Sequence, residues 1–355
     1  MSWKPAAGAA RFAGAVLGGC LALSVAPVRA LDATLQASLS GRFYALVDRG
    51  DRHWTLVEEG RAPILLPGEQ GEVYDALIAI DGGWLAAGHR PASSGPGREL
   101  VLLRGGDGSL DLLPVPPAGG ETLLSPRPLV EDGELVGLAW LEGSDARTLG
   151  VRAATWSGAG FAPAAWISPP SGAGSQLALS AAVLRDRSWL LVWSAFDGGD
   201  DEILWSVRGG PDGPGWSTPA RLHADNAVPD ITPVVAATWR GAVAAWSRYE
   251  AGHYRVRVAR FHDGAWRGEE RLGGPGSVFP FFVADEAARG PSLVFPTGVE
   301  GWWELVELGG SGQVTARTRW AGRPREAPLA RRGPAGGARL EWLGDDLSPA
   351  GGDHR

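Results

Sequence analysis

The sequence predicts an all-β fold built from many short antiparallel strands, and three observations lead to this class. The chain of 355 residues contains 53 glycines and 27 prolines, which interrupt long helices and favour turns. Hydrophobic residues make up 44 % of the chain, which is enough for a large core and excludes global disorder. An apolar hairpin that ends in an aromatic residue recurs about every fifty residues.

The first thirty residues have the pattern of a secretory signal. Lys4 and Arg11 provide positive charge, residues 12–27 form an apolar run, and Val28-Arg29-Ala30 fits cleavage after the alanine. We therefore expect residues 1–30 to be removed and the protein to be periplasmic or extracellular.

Cys20 is the only cysteine, and it allows an alternative for this segment. Leu17-Gly18-Gly19-Cys20 is similar to the signal for a lipid anchor, although the apolar run continues beyond Cys20. After cleavage the chain would lack cysteine, methionine and lysine, and its formal net charge would change from −7 to −10 because Lys4, Arg11 and Arg29 are lost. This composition excludes internal disulfides and argues against a nucleic-acid partner. No segment after residue 31 is long and apolar enough to predict a membrane span.

The recurring hairpin predicts the architecture. Each copy has an apolar strand, a polar or glycine turn and a second apolar strand with an aromatic ring at its end. The end positions lie 47 to 53 residues apart, at His89, Trp140, Trp193, Trp246, Phe295 and Trp342. Two further short strands follow each hairpin. Four-stranded units repeated at this period predict a β-propeller, with the indoles packed between blades. A pair of β-sandwiches is the alternative.

The copies predict six blades within a single propeller domain at residues 31–343, with seven as the alternative count. Five units follow one another between residues 77 and 329, and residues 31–76 supply further strands. We expect the strands at residues 330–343 to complete the first blade and to close the ring. Residues 344–355 are expected to form a flexible tail.

The repeat resembles the bacterial sialidase-like propellers, whose blades carry Asp-box hairpins. The resemblance covers roughly residues 77–329 and depends on segments such as ITPVVAATWRGAVAAWSR (231–248). Asp212-Gly213 with Trp216, and Asp263-Gly264 with Trp266, keep the Asp, Gly and Trp of the Asp-box at altered spacing. We expect these residues to stabilise hairpins, since a carboxylate can bond the turn backbone while the indole packs in the blade.

The resemblance implies a catalytic set of three arginines, a tyrosine nucleophile with a glutamate base, and an aspartic acid. The chain has only four tyrosines, and the set cannot be carried over as a whole. The catalytic residues are therefore unknown, and the candidates are Tyr249 and Glu250, in the charged loop after the second strand of one unit, and Asp230, which is expected at the same end. Guanidinium groups would pair with a substrate carboxylate. The arginine motif near the start of such enzymes has no clear counterpart here, so the resemblance is specific for the fold and weak for activity.

Loops at one end of a propeller channel are the usual place for a ligand. Arg248 and His253 lie in the loop after the second strand of one unit, and Arg127 and Arg325 precede or begin inner strands of others. We expect these four residues to bind a ligand such as a glycan.

An acidic loop offers a further candidate site. Asp197, Asp200, Asp201 and Glu202 place four carboxylates within six residues, and calcium prefers oxygen ligands of this kind. A solvated acidic turn is the alternative. Calcium is the only cofactor that the sequence suggests.

These observations favour an exported, non-catalytic propeller that serves as a ligand-binding or assembly module at the cell envelope, with a glycan or an envelope protein as partner. The alternative is a sialidase-like glycoside hydrolase with a divergent site. A lyase that uses the same ring is a third hypothesis.

Overall fold

A computed structural model describes residues 33–39, 42–48, 53–66, 68, 71–106, 108–171, 174–210, 215–224, 226–283, 290–322, 328–332, 338–343, 349–351 and 353–354. Residues Leu31–Arg355 form one compact unit. All regular elements in the described ranges are strands, and no helix there could cross a membrane. The predicted signal at residues 1–30, including Cys20, lies outside them.

The chain is a six-bladed β-propeller with four antiparallel strands per blade, as predicted. Blades 1 to 3 comprise β1 to β12, at Ala33–Leu39, Arg42–Asp48, Trp54–Glu58 and Ile64–Leu65; Val73–Ile80, Gly83–Pro91, Arg98–Gly106 and Ser109–Leu112; and Thr122–Glu131, Glu134–Gly143, Gly150–Thr155 and Ala165–Ser168. Blades 4 to 6 comprise β13 to β24, at Gln176–Val183, Trp189–Phe196, Asp201–Arg208 and Ala220–Arg221; Asp230–Thr238, Gly241–Glu250, His253–His262 and Ala265–Arg271; and Phe281–Val283, Ser292–Pro296, Trp302–Leu308 and Val314–Ala321.

The second strand of each repeat forms the core between two blades. Trp140, Trp193, Trp246 and Phe295 have no exposed surface, and each packs with apolar side chains of the preceding blade. Because both faces of these strands are covered, β14 is buried over seven of its eight residues. The prediction that the repeated aromatic positions are blade-packing residues is confirmed for these four, whereas the side chain of Trp342 lies outside the described part of the chain.

The first strands of successive blades contact one another, so they surround the centre of the ring. Several of them contain a β-bulge near the same end. The pairing register shifts around Asp75 and across Ser125, Ala178 and Thr232, and the last three residues have φ of 50°, 50° and 53°. Each bulge turns one side chain out of the regular alternation, at the end of the propeller where the candidate site lies.

The predicted closure is wrong. β1 to β4 form the first blade without help from the C-terminal strands. The strands β25 to β27, at Leu329–Arg332, Ala338–Leu343 and Pro349–Gly351, instead form a separate three-stranded sheet. Leu329 packs against Phe43 and Ala45 of blade 1, whereas Leu340 packs against Val294 and Leu305 of blade 6. This three-stranded sheet therefore lies between blade 6 and blade 1. It stands where a seventh blade was the alternative, but it has three strands instead of four.

The expected tail at residues 344–355 is also partly in strands. Pro349–Gly351 belongs to the C-terminal sheet, and β28, at Asp353–His354, pairs with Trp320 and Ala321 on the outer edge of blade 6. These five residues are hydrogen-bonded, in contrast to the free tail expected from the sequence.

Candidate functional site

Three segments meet at the junction of blades 4 and 5. They are the loop between β14 and β15, the connection from β16 to β17, and the loop between β18 and β19. Antiparallel pairing places them at one end of the blades, since Phe196 pairs with Asp201, Asp230 with Arg248, and Glu250 with His253. We call residues 197–202, 221–224, 226–230 and 248–257, together with Glu269, the blade 4–5 junction.

Asp230 is the buried anchor of this junction. Its carboxylate has no exposed surface and accepts hydrogen bonds from Trp246 Nε1 at 2.7 Å, Arg248 Nε at 2.7 Å and Asn226 Nδ2 at 2.8 Å. Burial alone would lower the pKa of Arg248, but the hydrogen bond and the negative charge of Asp230 raise it. The catalytic candidate Asp230 is thus held in an ion pair with fixed geometry.

A chain of ion pairs continues from Arg248 across the face of blade 5. Arg248 Nη1 lies 2.6 Å from Glu269 Oε1, and Arg257 Nη1 lies 3.3 Å from the same oxygen. Arg257 also donates from Nε to Glu250 Oε1 at 2.6 Å, and Arg255 lies 3.9 Å from Glu250. Two arginines, Arg255 and Arg257, therefore pair with the second catalytic candidate, Glu250.

His223 lies between two carboxylates and is almost completely buried, with its side chain 3 % exposed. Its Nε2 lies 3.3 Å from Asp230 Oδ2 and 3.6 Å from Glu202 Oε2. Its ring stacks on Trp246, with centroids 5.6 Å apart and planes 15° apart. Its Nδ1 lies 2.8 Å from the carbonyl oxygen of Ala224. The ring is therefore fixed in position and plane.

The acidic loop that was predicted to bind calcium forms one wall of the junction. Asp197 accepts hydrogen bonds from the backbone N–H groups of Gly199 and Asp200, which lower its pKa, and it pairs with Arg221 at 2.6 Å. Burial and the neighbouring Asp200 and Asp197 raise the pKa of Asp201. Asp197, Asp200 and Glu202 each place one oxygen within 4.8 Å of the others. Glu202, however, also faces His223, so the four predicted ligands are divided between the loop and the interior.

The tyrosine candidate lies on the other face of its strand from Glu250. Successive side chains of a strand point in opposite directions. The Tyr249 ring packs against Tyr254, with centroids 5.2 Å apart, while Glu250 pairs with Arg257. Burial and the charge of Asp201 raise the pKa of Tyr254. His253 is exposed at the tip of the same hairpin.

The arginines predicted to bind a ligand are not all brought together. Arg127 is in the first strand of blade 3, where it donates to the carbonyl oxygens of Leu179 in blade 4, at 2.8 Å, and of Asp75 in blade 2. Its role in the described contacts is to connect three blades. Arg325 lies outside the described residues.

Sequence reasoning missed His223, Asn226 and Glu269. His223 and Asn226 lie in the connection that leads into β17, close in sequence to the candidate Asp230. The signal that could have found them was this polar pair a few residues before Asp230. Glu269 is in the fourth strand of its blade, and nothing in the sequence relates it to Arg248.

No model of a known protein family matches the chain, and no curated protein matches its sequence. Solved structures do match. One is an ulvan lyase of polysaccharide lyase family PL25 bound to -[GlcA(1-4)Rha3S]-, with a TM-score of 0.56 and 10 % identity over 90 % of this chain and 92 % of that chain. Another is a protein of unknown function from Dyadobacter fermentans, with a TM-score of 0.54 and 14 % identity over 82 % and 95 % of the two chains.

A third similar structure is an α-L-arabinanase from Penicillium chrysogenum in complex with arabinobiose. It has a TM-score of 0.53 and 14 % identity, and the match covers 82 % of this chain and 93 % of that chain. At such identities, these likenesses establish the propeller fold alone. The fold is thus one that glycoside hydrolases and polysaccharide lyases also use.

Proposed function

We propose that the protein is an exported, non-catalytic propeller that binds a glycan at the cell envelope through the blade 4–5 junction. The observation that carries this proposal is the pairing of the candidate catalytic groups. Asp230 is bonded to Trp246, Arg248 and Asn226, and Glu250 is paired with Arg257. A general acid or a base for tyrosine needs a carboxyl group that can reach the substrate and exchange a proton.

The geometry also weighs against the sialidase-like alternative, in which a glutamate activates a tyrosine. Tyr249 and Glu250 are consecutive in β18 and face opposite sides of the sheet. Arg127, a candidate for the substrate carboxylate, donates to backbone carbonyls of two other blades. The resemblance to sialidase-like repeats therefore supports a shared scaffold more than a shared reaction.

The surface of the junction has the chemistry of a carbohydrate-binding site. Tyr249 and Tyr254 are partly exposed, and Phe196 and His253 are exposed. Aromatic rings stack on the apolar faces of sugars, while partly exposed arginine and carboxylate groups can bond to hydroxyls. The carbohydrate ligands of the ulvan lyase and the arabinanase support the same ligand class for this chain.

Titration calorimetry with arabinobiose and with oligosaccharides of -[GlcA(1-4)Rha3S]-, after a screen on a glycan array, tests the proposal. We expect saturable binding that weakens at least about 10-fold in Tyr249→Ala and Tyr254→Ala, since stacked aromatic rings contribute about 1 kcal/mol or more. The exposed Trp166 of blade 3 provides a control, and Trp166→Ala should bind normally. Capture of an envelope protein without glycan binding would favour an assembly role instead.

The hydrolase alternative has its own measurement. The wild-type protein is expected to release no product from chromogenic sialosides, arabinosides and other glycosides. Turnover that disappears in Glu250→Gln or Tyr249→Phe would overturn the non-catalytic proposal and establish a glycosidase.

Mass spectrometry of the protein from its native envelope tests the export step. Cleavage after Ala30 would leave Leu31 as the first residue. A lipid-modified Cys20 at the N-terminus would establish anchoring instead, and an intact segment 1–30 would contradict export by cleavage.

A further inference from the structure

We propose that Glu202, His223 and Asp230 form a binding site for one divalent transition-metal ion of the zinc class. Each residue places one ligand atom within 4.8 Å of the other two. The three side chains are buried within the blade 4–5 junction, and the argument for a metal ion there is independent of any glycan.

The first argument is the surroundings of the two ring nitrogens of His223. A carbonyl oxygen only accepts hydrogen bonds, so Nδ1, which lies 2.8 Å from the Ala224 carbonyl oxygen, is a ring nitrogen that carries a proton. Nε2 has no hydrogen-bond partner within the part of the chain that the structure describes. Nε2 instead faces two carboxylates, at 3.3 and 3.6 Å, and all three side chains are almost completely buried. A divalent cation between them would bind Nε2 and both carboxylates and would offset the buried negative charge.

The second argument is the charge of the surroundings. The described residues of the blade 4–5 junction include seven carboxylates and four guanidinium groups, at Asp197, Asp200, Asp201, Glu202, Asp230, Glu250 and Glu269 and at Arg221, Arg248, Arg255 and Arg257. A divalent cation would offset most of this negative excess.

The third argument is the support around the ligands. Metal-bound histidine usually donates its second ring N–H to a carbonyl or carboxylate, as His223 does to Ala224. Asp230 is fixed by Trp246, Arg248 and Asn226, and Glu202 Oε1 lies 3.3 Å from the backbone N of Asn226. These contacts hold the carboxylates in place around the position that the ion would occupy.

The ligand types decide the class of metal. Imidazole nitrogen suits zinc and its neighbours in the first transition series, whereas calcium and magnesium take oxygen ligands. Three protein ligands of the His and carboxylate type are common for zinc, and they leave one position for water or for another ligand. Calcium at Asp197, Asp200, Asp201 and Glu202 stays a separate prediction, and the site proposed here shares only Glu202 with it.

Metal analysis of the purified full chain tests this proposal. After removal of metals with EDTA and addition of zinc sulfate, we expect one zinc per chain by plasma mass spectrometry and a saturable calorimetric isotherm. His223→Gln and Glu202→Gln should weaken zinc binding more than 100-fold. Asn226→Ala, which removes one support of Asp230, should weaken it by about 10- to 100-fold.

The exposed His253 and the arginine-paired Glu250 give matched controls, since His253→Gln and Glu250→Gln should bind zinc as the wild type does. X-ray absorption of the wild-type zinc protein needs no variant and should show one imidazole with oxygen ligands at about 2.0–2.2 Å. Failure of the wild type to take up zinc would overturn the proposal. Zinc uptake that His223→Gln does not change would place the ion elsewhere and would also overturn it.

Discussion

Three tryptophans at equivalent positions of the repeat differ in the hydrogen bonds of their indole N–H groups. Trp140, Trp193 and Trp246 are all fully buried between blades. Trp140 Nε1 donates to Glu142 and Trp246 Nε1 donates to Asp230, both at 2.7 Å. Trp193 Nε1 has no hydrogen-bond partner among the described residues. The same ring therefore serves packing at one junction and orients a buried carboxylate at two others.

Replacing these rings by phenylalanine should separate the two roles. Trp246→Phe removes a hydrogen bond to a buried charge in addition to apolar area, whereas Trp193→Phe removes area and an unsatisfied donor. We expect Trp246→Phe to lower the free energy of unfolding by about 1–2 kcal/mol more than Trp193→Phe, as measured by urea denaturation. Equal losses would show that the bond from Trp246 to Asp230 adds nothing to stability.

His89 occupies the same repeat position in blade 2 and has a different chemistry. Its Nδ1 accepts a hydrogen bond from Arg98, and its Nε2 lies 3.4 Å from Asp75 Oδ2. Burial and the charge of Arg98 lower the pKa of His89 to about 3. Burial also raises the pKa of Asp75 to about 6, against the opposing charges of Arg127 and Arg98.

These two shifts act on stability in opposite directions. From pH 3.8 to about 6 the folded protein keeps a proton on Asp75 that the unfolded chain has released, so stability falls as the pH rises. From about pH 3 to 6.5 the unfolded chain keeps a proton on His89 that the folded protein lacks, so stability rises with the pH. The two contributions largely cancel between about pH 4 and 6.

Single substitutions should reveal how each residue makes the free energy of unfolding depend on pH. Relative to the wild type, the free energy of unfolding of His89→Phe should fall between pH 4.5 and 6 by about 1 kcal/mol per pH unit, whereas that of Asp75→Asn should rise by a similar amount. Urea denaturation at several pH values provides the measurement. Parallel pH profiles for the three proteins would contradict this assignment.

At the scale of the strand, the bulges of the inner strands are the least regular feature of the fold. Ser125, Ala178 and Thr232 have left-handed backbone conformations that side chains with a Cβ rarely adopt. The strain is retained because the strand on either side of each bulge is paired in register. These bulges direct side chains of the first strands toward the end of the channel where the candidate site lies.

Glycine at one bulge should release this strain. We expect Ala178→Gly to raise the free energy of unfolding by up to about 1 kcal/mol, because glycine adopts positive φ without steric cost. Ala181→Gly, in the regular part of the same strand, should instead lower it by about 0.5–1 kcal/mol. Thermal unfolding of the two variants provides the comparison, and a loss of stability in both would show that the bulge is not strained.

The sequence predicted the hairpins but not the bulges, and this difference has a physical reason. The hairpins and their aromatic positions follow from strand periodicity and turn residues, which are local. The bulges lack such a signal, because Ser125, Ala178 and Thr232 are not residues that prefer positive φ. Likewise, Tyr249 and Glu250 are adjacent in sequence, and only the strand conformation shows that they face apart.

At the scale of the molecule, the candidate metal site and the ring closure depend on contacts between distant segments. Glu202, His223 and Asp230 come from three elements that packing brings together, so no spacing motif links them. The closing strands are short, and β25 reads LARR, which has little apolar character. They form a separate sheet because Leu329 packs on blade 1 while Leu340 packs on blade 6.

Truncation before residue 328 should open the ring. Loss of the buried Leu329 and Leu340 would expose the facing sides of blades 1 and 6, so we expect the free energy of unfolding to fall by at least about 4 kcal/mol and dye binding to apolar surface to increase. Removal of residues 353–355 alone should cost less than about 1 kcal/mol, because the described pairing of Asp353 and His354 is with the outer edge of blade 6. Leu340→Ala offers a milder variant, and normal stability in it and in the truncated chain would show that closure does not depend on this sheet.

The length and charge of the outer strands affect whether two molecules can pair edge to edge. An exposed strand edge can pair with a neighbouring molecule and start aggregation. Here β4, β8, β12 and β16 have only two to four residues, and the longer β20 carries Arg267, Glu269, Glu270 and Arg271. The long outer strand of blade 6, β24, is partly covered by β28. The outer edges of the described blades therefore offer few consecutive unpaired backbone groups with which a second molecule could form a continuous sheet.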